Sequence, residues 1–416
     1  MELTKKHSFF KAFFVLALTA ILCLGSFTPV FAAGNPIAGD KATIKKSLQM
    51  LEGTPTPDAT FTFTFEKISL NGQSNQPARD NMPNISPQNI TFAASDGGDI
   101  AGFSKTVSKE SGNFFAGVAF PSPGVYIYIL TETADTYPIA DPNLETMNYS
   151  GAVYEITAYV ENGATGPELK HISAVINKRD FSNGVTEGKG DKVDPTPGSS
   201  TLVFTNTYMK IPGGGTPQDG ALAISKTVSG EYADMDKYFE FTIRTSVEKN
   251  IQTGTATYKA YLLEDNTVIT PTAQNGAFQI EHDGSNDYIV VTAGSNLSIQ
   301  LKHNQKLVFT DIPIGASYEA IETATANYAP SIALMVDGTP NAVPNSTVGI
   351  KLSTSERIIG EDTNSAVFTN TFDTSITPTG ISLNDLPFIM MIALAIGALV
   401  LFVIVKSRRK SDVKNC

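Results

Sequence analysis

Thr60-Phe61-Thr62-Phe63-Thr64-Phe65 alternates polar and aromatic residues without a break, and a period of two sends all three phenylalanines to one face of a strand. Val125-Tyr126-Ile127-Tyr128-Ile129 and the run from Tyr154 to Val160 alternate in the same way. From Asp40 to Phe372 the chain consists of such short runs, rich in Val, Ile, Thr, Tyr and Phe and broken by clusters of Gly, Pro, Asn and Asp. No long stretch between those limits repeats at the helical period. Strands with one apolar face need a second sheet to cover it, so the predicted fold is all-β, built as antiparallel Ig-like β-sandwiches.

Two sandwiches are expected in tandem, because the sequence repeats itself across a Gly/Pro break at Ile211-Pro212-Gly213-Gly214-Gly215-Thr216-Pro217. Val203-Phe204-Thr205-Asn206-Thr207-Tyr208 closes the first half and Val367-Phe368-Thr369-Asn370-Thr371-Phe372 the second. Near the openings stand Ala42-Thr43-Ile44-Lys45-Lys46-Ser47-Leu48 and Leu222-Ala223-Ile224-Ser225-Lys226-Thr227-Val228. In the middle, the segment from Pro123 to Thr133 matches that from Pro313 to Thr323. The predicted domains are therefore 33–210 and 221–373, joined by a linker over 211–220.

The ends read as export and sorting signals. Lys5, Lys6 and Lys11, an apolar run from Ala12 to Leu24 and then Val30-Phe31-Ala32 have the order of a cleaved signal peptide over 1–32. Cys23 lies within it, but the bulky Leu22 before it is unlike the small residue a lipid-attachment signal needs. Phe388 to Val405 is uncharged and of membrane-spanning length, and Lys406, Arg408, Arg409 and Lys410 after it place that end in the cytoplasm. Between these signals there is no cysteine, since Cys23 and Cys416 are the only two. An exported protein without disulfides needs another way to resist proteases and shear. The formal net charge of -11 and a pI near 4.9 argue against nucleic acid as a partner.

Each half carries a lysine in its first strand, a glutamate at the end of a central strand and an asparagine in its last strand. If alternation turns all three inward, an amine, an acid and a carboxamide meet in an apolar core. Burying unpaired charge costs several kcal/mol per ion, and desolvation pushes both the lysine and the glutamate toward their neutral forms. A neutral amine is a nucleophile, and a carboxamide beside a protonated carboxyl is an electrophile. Condensation would give a neutral amide and release ammonia, with the glutamate moving the protons. Tying the first strand to the last would close nearly the whole domain into a loop, worth roughly 5 kcal/mol by analogy with disulfides. Tension would then bypass the strands within the loop. Lys105, in a similar Ser104-Lys105-Thr106-Val107 context, lies too close before the central strand to serve.

In these segments the chain resembles the two-domain major pilins of Gram-positive bacteria, the family with a pilin isopeptide-linkage domain. The resemblance implies that Lys46 joins Asn206 beside Glu132, and that Lys226 joins Asn370 beside Glu322, each glutamate catalysing the bond. Glu319 is a neighbouring acid, but alternation puts it on the opposite face from Glu322. Ile376-Thr377-Pro378-Thr379-Gly380, followed by the apolar run and basic tail over 374–416, is similar to the pilin sorting signal at which a sortase cuts between Thr and Gly. The resemblance also implies an acceptor lysine shortly before the last strand of the first domain, for which Lys192 is favoured over Lys189 and Lys210. Partners implied are sortase, further pilin subunits, peptidoglycan and a host surface; the product is a covalent pilus on the cell wall, after a transient membrane anchor. The alternative is a wall-anchored adhesin with the same stapled domains that does not polymerise.

Nothing points to an enzyme or a cofactor. His171, His282 and His303 are the only histidines after the leader, and none sits in a zinc or nucleophile motif. Asp96-Gly97-Gly98-Asp99 and the run from Glu281 to Asp287 could hold calcium but read better as hairpin turns.

Overall fold

The computed structural model describes residues 39–180, 190–246, 256–343, 347–373 and 386–412, with side chains described over 390–406 in the last of these. The leader over 1–32, Lys189 and the sorting motif from Ile376 to Gly380 lie outside the described residues.

The period-two runs become strands, and each half of the chain forms two facing sheets. In the first, Lys45–Leu51 and Val203–Lys210 sit side by side in a five-stranded sheet. Gly124–Glu132 and Ala59–Leu70 are neighbours in the six-stranded sheet that covers it. In the second, Leu222–Ser229 and Ser365–Phe372 adjoin in a nine-stranded sheet, faced by a five-stranded sheet with Phe239–Ser246 and Ser317–Glu322. Each sandwich has its own apolar core.

Aromatic rings repeat between the two cores. Phe63 meets Phe204 with centroids 5.0 Å apart, and Phe241 meets Phe368 edge-on at 5.1 Å. Rings at such separations contribute beyond their buried area.

One feature departs from a purely antiparallel sandwich. In both domains the first and last strands pair in parallel, Lys46 opposite Phe204 and Leu48 opposite Asn206, then Lys226 opposite Phe368 and Val228 opposite Asn370. Parallel neighbours need a long crossover, and here the crossover is the rest of the domain. Lysine and asparagine are thereby two positions apart on adjacent strands, on the same face.

The Gly/Pro segment is drawn into a tight turn, with Thr216 and Asp219 exchanging backbone hydrogen bonds of 3.2 and 3.1 Å. The domains abut around it. Ile211 N–H donates to Leu144 O at 2.8 Å, Ile314 N–H donates to Lys210 O at 2.8 Å, and Lys210 pairs with Glu361. Gly315 sits at φ +85°, where a Cβ would stand 2.4 Å from Glu52 O and from Leu51 Cβ. Only glycine allows this approach.

A C-terminal helix runs over Leu386–Asp412. Met390, Leu394, Leu401 and Phe402 on it are exposed. Among the described residues no stretch of helix is long and apolar enough to cross a membrane, the described side chains running only from Met390 to Lys406.

Candidate cross-linking sites

Alternation aims each lysine inward. Along Leu222–Ser229 every second residue is buried, and Lys226 takes an inward place between Ile224 and Val228. Along Ser365–Phe372 the inward places are Ala366, Phe368 and Asn370. In the first domain Lys46 is fully buried, as is Asn206. Lys45 next to it faces the other way and is only partly covered.

In the first site Lys46 Nζ lies 2.8 Å from both carboxylate oxygens of Glu132. Asn206 Nδ2 donates to Glu132 Oε1, also at 2.8 Å. A single carboxylate oxygen therefore touches the nitrogen that would attack and the nitrogen that would leave. Phe61 lies under the amine, 4.6 Å from its ring centroid. Neither Lys46 nor Glu132 exposes any side-chain surface.

The second site repeats the arrangement. Lys226 Nζ is 3.1 Å from Glu322 Oε1, Asn370 Nδ2 donates to the same oxygen at 2.7 Å, and Phe239 underlies the amine at 4.3 Å. It is less fully satisfied, since Glu322 Oε2 and Asn370 Oδ1 have no hydrogen-bond partner among the described residues.

Burial drives the electrostatics of both sites. Loss of water pulls Lys46 and Lys226 down to about 8, against the opposing pull of their glutamates. The same loss of water pushes Glu132 and Glu322 up, opposed by the lysines and by the asparagine amides. Desolvation disfavours the charged form of each partner, so proton transfer from ammonium to carboxylate becomes accessible. The result is a free amine beside a carboxylic acid and a carboxamide.

Other candidates fall elsewhere. Lys105 donates to the backbone oxygen of Thr54 and to Thr56 Oγ1, away from the buried acids. Glu319 accepts from Ser353 Oγ at 2.9 Å. Lys192 is exposed on a two-residue edge strand, Lys192–Val193, beside Val175 and Ala174. Asp96 accepts from Ala93 N and pairs with Lys109, and Asp283 accepts from Ser285 N and Asn286 N in the turn between strands Ile280–His282 and Asp287–Thr292, so these carboxylates are engaged within turns. Among the described residues no group of acidic, His or Cys side chains could hold a metal ion.

Two partners of the first site carry no sequence signal. Ser150 N–H donates to Asn206 Oδ1 at 2.7 Å, and Asp180 holds Ser150 and Gly151 in place. They sit in a loop and past a strand end, where no periodicity marks them.

Comparison with known proteins finds two families along the chain. Residues 42–209 match the Spy0128-like isopeptide containing domain, and residues 220–372 match a Domain of unknown function (DUF7601). A curated pilin of Streptococcus pyogenes serotype M1 is 24% identical over 387 residues, spanning 91% of this chain and 95% of that protein. Among solved structures, the major pilin of Streptococcus pyogenes aligns at 18% identity and a TM-score of 0.32, covering 80% of this chain and 99% of its own. A pilus-presented adhesin, Spy0125 (Cpa), aligns at 17% identity and a TM-score of 0.23, over 53% of this chain and 36% of its own. The chain thus carries a Spy0128-like isopeptide containing domain as its first half and is similar over most of its length to a curated pilin of a Gram-positive bacterium.

Proposed function

We propose that this chain is the structural subunit of a covalently polymerised surface pilus, its first domain closed by a Lys46–Asn206 isopeptide bond and its second by Lys226–Asn370. The observation that carries the reading is the buried lysine, glutamate and asparagine present twice, each glutamate oxygen shared between the two nitrogens.

The chemistry balances within each site. Glutamate takes the ammonium proton, and the freed amine adds to the asparagine Cγ. The new C–N bond forms as the C–Nδ2 bond breaks, and one amine proton passes through the glutamate to Nδ2, which departs as ammonia. Three polar groups in an apolar core become a neutral amide and a protonated acid. Each domain performs the step once, on itself, without turnover.

Polymerisation completes the proposal. A leader over 1–32 would export the chain, and the apolar run with its basic tail would hold it at the membrane. Sortase would then cut the Ile376-Thr377-Pro378-Thr379-Gly380 signal and pass the threonine to Lys192 of the next subunit or to peptidoglycan. Lys192 is supported by its exposure on an edge strand.

Intact mass of the purified chain tests the internal bonds, with a deficit of one ammonia expected for each. A full-length mass would refute them. Size separation of wall material tests assembly: a ladder supports the pilus, and a single monomer band points to a wall-anchored adhesin.

A further inference from the structure

The two sites differ at one atom. Asn206 Oδ1 accepts the Ser150 N–H at 2.7 Å in a buried position, whereas Asn370 Oδ1 has no partner among the described residues. Of the two ends of the amide only the oxygen can accept an N–H, so this contact fixes the orientation of the Asn206 amide and turns Nδ2 toward Glu132. The same oxygen gains charge when the Lys46 amine adds to Cγ. A backbone donor already aimed there lowers the energy of the tetrahedral intermediate before ammonia leaves.

A loop N–H can do this only if the loop is held. Asp180 holds it from both sides, its Oδ2 accepting from Ser150 Oγ and from Thr205 N at 2.8 Å, its Oδ1 from Gly151 N at 3.1 Å. Thr205 precedes Asn206 on the last strand, so one carboxylate ties the donor loop to the strand bearing the electrophile. Ser150 Oγ also accepts from Ala152 N at 3.2 Å, closing the turn.

We propose that Asp180 is a positioning residue for the first domain's condensation, holding the Ser150 N–H as the donor to the Asn206 carbonyl oxygen; this rests on the cross-linking reading above. The second domain condenses without such a donor.

The test uses the full chain made by cell-free translation, quenched in denaturant at intervals and digested, with each domain's linked and unlinked peptides quantified by mass. The second domain's bond is the control within the same molecule, and protease resistance reports folding of the first. Asp180→Ala is expected to slow the Lys46–Asn206 bond at least about tenfold, toward the loss seen when an oxyanion donor is removed. Asp180→Asn keeps one oxygen for Ser150 Oγ and Thr205 N, and is expected to restore most of the rate. The Lys226–Asn370 rate should not move. Should Asp180→Ala fail to fold, Ser150→Ala, which keeps the N–H but frees it from Asp180, should slow the first bond on its own. Wild-type rates in Asp180→Ala, equal slowing of both bonds, or an Asn variant no faster than Ala would overturn the proposal; with a misfolded Ala variant, so would an unchanged Ser150→Ala. A wild-type chain with no bond between Lys46 and Asn206 would instead overturn the cross-linking reading itself.

Discussion

Replacing Lys46 with methionine isolates what closing the first domain contributes. Methionine matches the unbranched stem of lysine and fills the space over Phe61, so the core keeps its packing while the amine is gone. Glu132, whose carboxyl burial already pushes up, can take a proton and remain neutral. What is lost is the proposed bond spanning Lys46 to Asn206, about 160 residues, and loop-closure entropy for that length corresponds to about 5 kcal/mol. For a domain of this size each kcal/mol moves the midpoint by roughly 2–4 °C, so the first domain should melt about 10–20 °C lower. Calorimetry of the full chain in detergent reads this directly, the second domain's transition serving as reference. Mass must first show that one ammonia has been regained beyond the substitution itself. A mass-verified unlinked variant that melts within about 3 °C of wild type would refute the loop-closure argument, being well below the shift expected.

Glu132→Ala should cost more than Lys46→Met, because it strands both a lysine and an asparagine in the core; roughly a further 3–5 kcal/mol is expected, read as the difference between the two midpoints. The rate of bond formation should be level near neutral pH and fall above about pH 8: there the lysine loses its proton to solvent, the pair is left as amine and carboxylate, and the acid is gone. Refolding unlinked chain across a pH series would show it, and a rate still rising above pH 9 would contradict it. Gly315→Ala puts a Cβ against Glu52 O in a left-handed backbone position and should cost about 1–3 kcal/mol at the junction, seen as lowered melting midpoints with both internal bonds intact. Lys192→Arg keeps the charge but removes the amine that would resolve a thioester; it should abolish the ladder and leave the monomer mass deficit untouched.

Much of the fold was legible because strands announce themselves by period. The run from Leu222 to Ser229 reads as half-buried before any coordinates, and Lys226 stands in it where an apolar residue belongs. Lys46 is harder, since Lys45 adjoins it and burial along Lys45–Leu51 does not alternate cleanly, Ser47 being buried as well. The parallel pairing of first and last strands left no mark, because it depends on where the chain returns and not on any local pattern. Asp180 and Ser150 escaped for the same reason: what they do is set by three segments far apart in sequence converging on one amide.

The junction between the sandwiches has a consequence for any fibre made from them. Lys210 ends the last strand of the first domain, and its carbonyl is captured by Ile314 of the second while its side chain grips Glu361. Swinging one sandwich about the other means breaking that bond and lifting Gly315 off the backbone of Glu52. Each subunit therefore behaves as one stiff strut, so flexure in an assembled filament would concentrate where one subunit meets the next.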